Sequence, residues 1–268
     1  MSHKSPLALW RRFLALPNDS RAKTLGVAFL VSLVAAIAVS TTAVVLKPRQ
    51  DAHIQAVREA KLAAMIATLP GLADVMRETG AETLETAIVA LDTGAIAPGI
   101  DAAQFDFLAA QTDPAQSQPL AAANDIALIG QRPDFAPVYL LRGADGLALV
   151  VLPVYGKGYQ SMIRAYLALH ADLRTIAALS IYEQGETPGL GSRISDPAWQ
   201  ALWAGKQTAD AQGQVTITVV RGAATSALEV DGITGATRST TGVTNLVRFW
   251  LGNQGFGPFL KRLKAGEF

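Results

Sequence analysis

The sequence contains no cysteine, and this absence excludes several kinds of chemistry. A chain without thiols forms no disulfide, no thiolate zinc site, no cysteine-ligated iron–sulfur cluster and no thiol nucleophile. Histidine is scarce as well, because only His3, His53 and His170 occur and they are widely separated. We therefore expect no metal site in this chain.

Charge is also scarce in this chain of 268 residues, and it is balanced. Charged residues make up 17% of the sequence, below the roughly 25% that is usual in soluble domains. The 23 Lys and Arg against 22 Asp and Glu leave a net charge of +1, so no basic excess indicates a nucleic-acid partner. The hydrophobic content of 50% indicates either a large core or one very apolar segment.

Much of the apolar content lies in residues 24–46, which carry no charged side chain. At about 1.5 Å per residue, a helix of this length spans the roughly 30 Å hydrocarbon core of a bilayer. A cleaved signal peptide has a shorter apolar run and a small-residue cleavage site, whereas Lys47, Pro48 and Arg49 follow this run. We therefore expect an uncleaved transmembrane helix that anchors the chain in the lipid bilayer.

The orientation of this helix is only weakly indicated. Five basic residues precede the apolar run and four follow it closely: Lys4, Arg11, Arg12, Arg21 and Lys23 before it, and Lys47, Arg49, Arg58 and Lys61 after it. The positive-inside rule thus favours a cytoplasmic location for residues 1–23. Residues 47–268 then form the large domain on the opposite side of the membrane.

The pattern after residue 46 indicates an α+β domain. We predict a helix over residues 51–67, which are rich in good helix formers, and another over residues 241–251. Apolar and β-branched runs between turn signals predict strands over residues 84–91, 138–141, 147–154, 179–182 and 214–220. The expected architecture is a mostly antiparallel sheet with flanking helices, in one compact domain or two intimate lobes.

The strongest candidate for a functional segment is DGITGATRSTTG, over residues 231–242. Gly232 and Gly235 permit a sharp path and a close approach of a ligand to the backbone. We expect one of the hydroxyl residues at 239–241 to cap the following helix, whose amino terminus can hold a phosphate. An ordinary connection between a strand and a helix has the same composition, so both interpretations stay open at this point.

Two further segments are candidates for ligand contact. GETPGLG, over residues 185–191, is a loop in which Leu190 and backbone amides can lie against a planar ligand, with Glu186 and Thr187 supplying polar contacts. An isolated turn is the alternative interpretation. YGKGYQS, over residues 155–161, has two glycines of a dinucleotide fingerprint but lacks the third, so it indicates little by itself.

Taken together, these segments resemble the C subunit of the Na⁺-translocating NADH:quinone oxidoreductase, a family with an FMN-binding domain. The resemblance rests on the apolar anchor, GKG, QGETPGLG, DGITGAT and FWLGNQGFGPFL, and it runs over the whole chain. In this family the D-G-x-[ST]-G-A-T signature marks the threonine that carries FMN in phosphoester linkage. The resemblance therefore implies covalent attachment of FMN to Thr237.

The resemblance also implies the surroundings of the cofactor and the role of the chain. Besides Thr237, the expected FMN-binding residues are Asp231, Thr234, Gly235, Ala236, Glu186, Thr187, Leu190, Gly191, Gly158 and Tyr159. The implied role is that of an electron carrier in a Na⁺-pumping NADH:ubiquinone reductase, whose FMN relays electrons between iron–sulfur centres of partner subunits. No residue of this chain is then expected to be catalytic, because what it transfers is an electron.

The same resemblance implies a single-pass protein of the bacterial inner membrane, with its N-terminus in the cytoplasm and residues 47–268 in the periplasm. A separate flavin transferase is expected to install the FMN from FAD. Two alternatives stay open. One is the related G subunit of an Rnf-type ion-translocating electron transport complex, and the other is a membrane-anchored binding domain without a redox role.

Overall fold

The computed structural model describes residues 10, 15, 17, 20–21, 23–37, 39–41, 47, 84–102, 104–143 and 146–267. The chain divides into two compact units, Met1–Ala60 and Lys61–Phe268. The helix predicted over residues 51–67 lies outside the described residues.

The first unit contains helix α1, Lys23–Thr41, which is long and apolar enough to cross a membrane. Ser20 lies at its amino end, where the hydroxyl oxygen accepts a hydrogen bond from the backbone N–H of Lys23 at 3.3 Å. Large apolar side chains such as Leu25 and Phe29 are exposed along the helix. This helix is compatible with the expected single-pass membrane anchor.

The described strands of the second unit are β1 (Leu84–Ala90), β2 (Ser117–Pro119), β3 (Gln131–Pro133), β4 (Phe135–Gly143), β5 (Gly146–Lys157), β6 (Met162–His170), β7 (Ile176–Glu183), β8 (Thr218–Val219) and β9 (Glu229–Val230). Its described helices are α2 (Phe107–Ala110), α3 (Pro197–Ala201), α4 (Thr237–Leu251) and α5 (Gly257–Lys264), and a 3₁₀ helix covers Gly191–Ser195. The long strands form one antiparallel sheet in the order β1-β4-β5-β6-β7. The predicted α+β fold with a mostly antiparallel sheet is confirmed.

Most of the predicted strands are found with longer bounds. The run over residues 84–91 corresponds to β1, the predicted hairpin to β4 and β5, and residues 179–182 lie inside β7. Strand β6 has no counterpart in the prediction, because alanine and leucine in its sequence MIRAYLALH favour strands only weakly.

The strand predicted over residues 214–220 is wrong for most of its length. Only β8 belongs to a ladder, and it pairs in parallel with β9. Just before β8, the carbonyl oxygens of Thr216 and Ile217 accept hydrogen bonds from the Arg248 guanidinium of α4 at 2.6 and 2.7 Å. Alternation in this segment therefore reflects packing against a helix as well as strand pairing.

The main core lies between the sheet and α4. Along β5, Val150, Leu152 and Val154 are buried in this core, while the intervening Leu149 and Val151 belong to a second cluster of buried side chains. Side chains on both faces of β5 are therefore buried. The indole N–H of Trp250 in α4 donates to the carbonyl oxygen of Tyr155 at 2.6 Å, which fixes the helix on the end of β5.

Candidate functional site

The YGKGYQS segment forms the end of β5 and the tight turn that leads into β6. The amide of Gly158 donates to the carbonyl oxygen of Ser161 at 2.8 Å, which closes the turn. The amide of Lys157 donates to the carbonyl oxygen of Ala127 at 2.8 Å, which fixes the turn to a neighbouring loop. The segment is therefore a hairpin connection and not the strand-to-helix turn of a dinucleotide fingerprint.

Glu186, in the GETPGLG loop, accepts hydrogen bonds from three consecutive amides of this turn. Its carboxylate receives the N–H groups of Tyr159, Gln160 and Ser161 at 3.1, 3.0 and 3.1 Å. The hydroxyl of Ser161 donates to it at 3.3 Å, and so does the hydroxyl of Ser239 in the first turn of α4. We call these five residues the Glu186 cluster, which joins three segments that are far apart in the sequence.

The Glu186 residue is almost entirely buried, with 4% of its surface exposed. Desolvation raises the pKa of its carboxyl group, but hydrogen bonds from the Ser239 hydroxyl and from the three turn amides lower the pKa more. The pKa of Glu186 therefore lies below its usual value, and the side chain is ionised near neutral pH. Its carboxylate faces other segments of the protein.

Glycine is required where the cluster is packed most tightly. A Cβ atom on Gly158 would lie 2.6 Å from Oε1 of Glu186, and one on Gly191 would overlap Oγ of Ser239. A Cβ atom on Gly242 would lie 2.8 Å from the carbonyl oxygen of Lys157, so this glycine allows α4 to approach the turn. These three glycines thus allow close backbone approach.

Thr187 and Leu190 shape the rest of the GETPGLG loop. The amides of Leu190 and Ser192 both donate to the carbonyl oxygen of Thr187 at 3.1 Å, which turns the chain tightly. The Thr187 hydroxyl accepts a hydrogen bond from the side-chain amide of Gln160 at 3.0 Å. The side chain of Leu190 remains 47% exposed and offers an apolar surface beside the cluster.

The DGITGAT segment joins β9 to α4 and meets the GETPGLG loop. Its first residue, Asp231, accepts a hydrogen bond from the amide of Ala224 at 2.7 Å through its carboxylate. The carbonyl oxygen of Asp231 accepts the indole N–H of Trp199 at 2.9 Å. Gly235 has a φ of +81°, and a Cβ atom there would lie 3.1 Å from Cδ2 of Leu190. Asp231 thus anchors the loop, while Gly235 brings it against Leu190.

Thr237 is the first residue of α4, and it is exposed. The preceding Ala236 is buried and occupies the N-cap position, so no side chain caps the helix. A helix amino terminus carries N–H groups without intrahelical partners and a partial positive charge, which favour an anion. Thr234, three residues earlier, is exposed as well.

The prediction that Ser239, Thr240 or Thr241 caps this helix is wrong. The hydroxyl of Ser239 donates to Glu186, and that of Thr241 donates to the carbonyl oxygen of Thr237 at 2.7 Å. Thr240 also bonds within the helix. Because all three residues lie inside α4, the helix begins at Thr237 and not four residues later.

Two exposed side chains meet beside the start of α4. The guanidinium carbon of Arg238 lies 4.9 Å from the ring centroid of Tyr159, whose surface is 48% exposed. Arg238 follows Thr237 directly, so a positive charge and an aromatic ring adjoin the exposed hydroxyl. Arg238 was not predicted from the sequence as a site residue. It could have been recognised because it is the one charged residue of 232–242.

The structure brings the three candidate segments together into one site. The arrangement fits a flavin phosphate, because an uncapped helix amino terminus with an exposed hydroxyl can hold an anion. Leu190 and Tyr159 add exposed apolar surface that suits a planar ring. Among the described residues, no group of three or more His, Asp or Glu could hold a metal ion.

A comparison with known protein families matches the FMN-binding domain to residues 158–252. The matched region starts in the turn after β5 and ends just after α4, so it contains all five residues of the Glu186 cluster.

Curated relatives and solved structures are similar over most of the chain. The C subunit of the Na(+)-translocating NADH-quinone reductase from Vibrio alginolyticus is 40% identical over 256 residues, which cover 95% of this chain and 99% of that protein. The corresponding protein from Pseudomonas aeruginosa is 39% identical over 258 residues, which cover 93% of this chain and 98% of that protein. The crystal structure of Shewanella oneidensis NqrC matches with a TM-score of 0.65 at 36% identity, covering 72% of this chain and 88% of that one.

Proposed function

The chain belongs to the family of the C subunit of the Na(+)-translocating NADH-quinone reductase, and we propose that it carries FMN as a phosphoester of Thr237. It is a flavoprotein subunit of that enzyme complex, with an FMN-binding domain.

One observation carries the attachment to Thr237. Its hydroxyl is exposed on the first residue of an uncapped helix, next to the loop that contains Leu190. A phosphate on this oxygen would lie at the amino terminus of α4, where the helix dipole favours negative charge. Thr234 is also exposed, but it lies in the loop before the helix and lacks this electrostatic advantage.

The attachment needs a separate flavin transferase. A threonine hydroxyl is a weak nucleophile at neutral pH. Asp231, a nearby acid in the sequence, has its carboxylate bonded to the amide of Ala224. In the proposed transfer from FAD, the hydroxyl oxygen of Thr237 forms a bond to the FMN phosphorus and the pyrophosphate bond breaks. AMP leaves, and the hydroxyl proton passes to a base of the transferase.

The bound FMN supplies one- and two-electron transfer, and this chain supplies binding and orientation. Leu190 and Tyr159 offer apolar contact, and the Glu186 cluster fixes the backbone around them. Because the chain has no cysteine, the iron–sulfur centres between which we propose that it relays electrons belong to partner subunits. The similarity to NqrC proteins over nearly the full chain favours this role over the G subunit of an Rnf-type complex.

We further propose that α1 crosses the bacterial inner membrane once. In this proposal the N-terminus lies in the cytoplasm, and the domain that carries FMN lies in the periplasm. The apolar length of α1 supports the crossing, and the weak excess of basic residues before it supports this orientation. Retention through a covalent bond suits such a location, because a dissociable cofactor would be diluted in the outer compartment.

The proposed attachment is tested by co-expressing the chain with its flavin transferase and measuring the mass of the denatured protein. We expect a gain equal to FMN minus water and a fluorescent band on a denaturing gel. Thr237→Ala should lose both signals completely, whereas Thr234→Ala, the matched control, should keep them. An adduct that survives in Thr237→Ala would refute the assignment, and no adduct on the wild-type chain would favour a binding domain without a redox role.

A further inference from the structure

We infer that Glu186 is a positioning residue that holds the turn after β5 and the start of α4 in a fixed relation before FMN arrives. The inference rests on the proposed function in one respect, namely that these two segments receive the cofactor. It assigns Glu186 a role in preparing the site, separate from any direct contact with FMN.

Donor groups bind both oxygens of the Glu186 carboxylate. Oxygen Oε1 accepts the amides of Gln160 and Ser161, and oxygen Oε2 accepts the amide of Tyr159 and the hydroxyl of Ser239. Oε2 therefore bridges the turn and the helix directly. Loss of this one oxygen would remove this direct link between two segments that are far apart in the sequence.

The negative charge of Glu186 is stabilised by neutral donor groups. Glu186 is buried, and the donors that surround it are neutral N–H and O–H groups. A buried charge of this kind is stable only while its donors remain in place, and the donors in turn lose their partner if the charge is removed. The energetics thus couple the position of the turn to the position of α4.

The side chain of Glu186 is tightly packed. Gly158 and Gly191 allow the backbone of two segments to lie directly against Glu186 and Ser239. The cluster therefore has little freedom to relax into another arrangement. Ser239 is two residues from Thr237 in the same helical turn, so its bond to Glu186 also fixes the start of α4 that presents the Thr237 hydroxyl. Because the site is formed beforehand, attachment of the cofactor does not carry the entropic cost of ordering these loops.

The first test needs no FMN. The full chain is produced without the transferase, purified in detergent, and followed by amide hydrogen exchange at residues 159–161. Glu186→Gln keeps the shape of the side chain but replaces one acceptor oxygen by a donor group. We expect exchange of the turn amides to accelerate by about 10-fold or more, because hydrogen bonds to a charged acceptor are lost. Exchange in the centre of β5 and β6 should stay unchanged.

Glu183→Gln is the matched control for charge. Glu183 is exposed, lies three residues earlier and pairs with Arg164 at 3.5 Å. The same substitution there should leave exchange at residues 159–161 unchanged. Unaltered exchange in Glu186→Gln, or equal acceleration in both variants, would overturn the inference.

The second test separates positioning from general stability, and it remains available if Glu186→Gln does not fold. Ser239→Ala removes the bond to α4 but keeps the carboxylate, the turn and residues 231–237. The turn amides should stay protected, while the limiting rate of FMN transfer by the transferase falls about 10-fold or more. The half-saturating concentration of the chain should be unchanged, because the signature sequence is intact. An unchanged limiting rate would overturn the inference.

Failure of the proposed function would look different. An adduct retained in Thr237→Ala would refute the attachment site, yet the exchange result for Glu186→Gln would be unaffected. Normal exchange in Glu186→Gln together with loss of the adduct in Thr237→Ala would refute the positioning role and leave the attachment intact.

Discussion

At the scale of single residues, the site depends on the absence of side chains as much as on their presence. Gly158 and Gly191 leave the space that the Glu186 carboxylate and the Ser239 hydroxyl occupy. Neither glycine has a positive φ in the structure, so steric space, and not backbone conformation, is the reason for glycine at these two positions. A methyl group at either position would act directly on the contact between two segments.

We predict that Gly191→Ala destabilises the domain by about 1–3 kcal/mol, because the added methyl group overlaps Oγ of Ser239 and forces the cluster apart. Urea unfolding of the detergent-solubilised chain, followed by tryptophan fluorescence, measures the loss. Gly99→Ala is the control, since a Cβ atom at Gly99 meets no atom within 4 Å. Its effect should stay within about 0.5 kcal/mol. Equal midpoints for the two variants would contradict the steric explanation.

At the scale of elements, α4 connects the site to the core. Its first turn carries Thr237 and Ser239, and its later turns bury Leu246 and Trp250 against the sheet. Apart from Thr237, each hydroxyl residue in the first half of the helix has a hydrogen-bond partner. Thr244, for example, accepts a hydrogen bond from the amide of Val219 at 3.0 Å and thereby joins α4 to β8.

We predict that Thr244→Val lowers the free energy of unfolding by about 1–3 kcal/mol, because the amide of Val219 loses its acceptor. Thr241→Val is the matched control on the same helix, since Thr241 is exposed and its hydroxyl bonds to the carbonyl oxygen of Thr237 within the helix. This variant should change the free energy of unfolding by no more than about 0.5 kcal/mol. Urea unfolding measures the free energy of unfolding of both variants. A similar decrease in both would show that helix propensity dominates over the lost hydrogen bond.

At the scale of the whole molecule, the chain combines an apolar helix that can cross a membrane with a separate unit that contains the FMN-binding domain. The two units differ in the surroundings that their side chains suit. The described side chains of α1 suit lipid, whereas the second unit buries its own core and presents its site at the surface. The proposed orientation assigns the FMN-binding domain to the periplasmic side of the inner membrane.

Because the chain has no cysteine, single introduced cysteines can report this orientation. We predict that Gln212→Cys, at an exposed position of the second unit, reacts with a membrane-impermeant maleimide in intact spheroplasts. Ser5→Cys, before the apolar run, should react only after the membrane is permeabilised. The mass of the protein measures the labelling. Labelling of Ser5→Cys in intact spheroplasts, with Gln212→Cys labelled only after permeabilisation, would contradict the proposed orientation.

Features that depend on local pattern could be predicted from the sequence alone. An uncharged apolar run of sufficient length indicated α1, apolar runs between turn signals predicted most of the antiparallel sheet, and the three glycine-rich segments were recognised as candidates. These features can be read from neighbouring residues because hydrophobic periodicity and turn chemistry act over a few positions.

The way in which those segments combine depends on tertiary packing. Glu186 bonds to the amide of Tyr159 across 27 residues and to the hydroxyl of Ser239 across 53 residues. From the sequence, Glu186 was expected to face a ligand and Ser239 was a candidate helix cap. The two side chains bond to each other, because the sheet and α4 bring their backbones close together and the surrounding donors stabilise the buried charge. Such partners are chosen by the packing of distant segments, which no local pattern encodes.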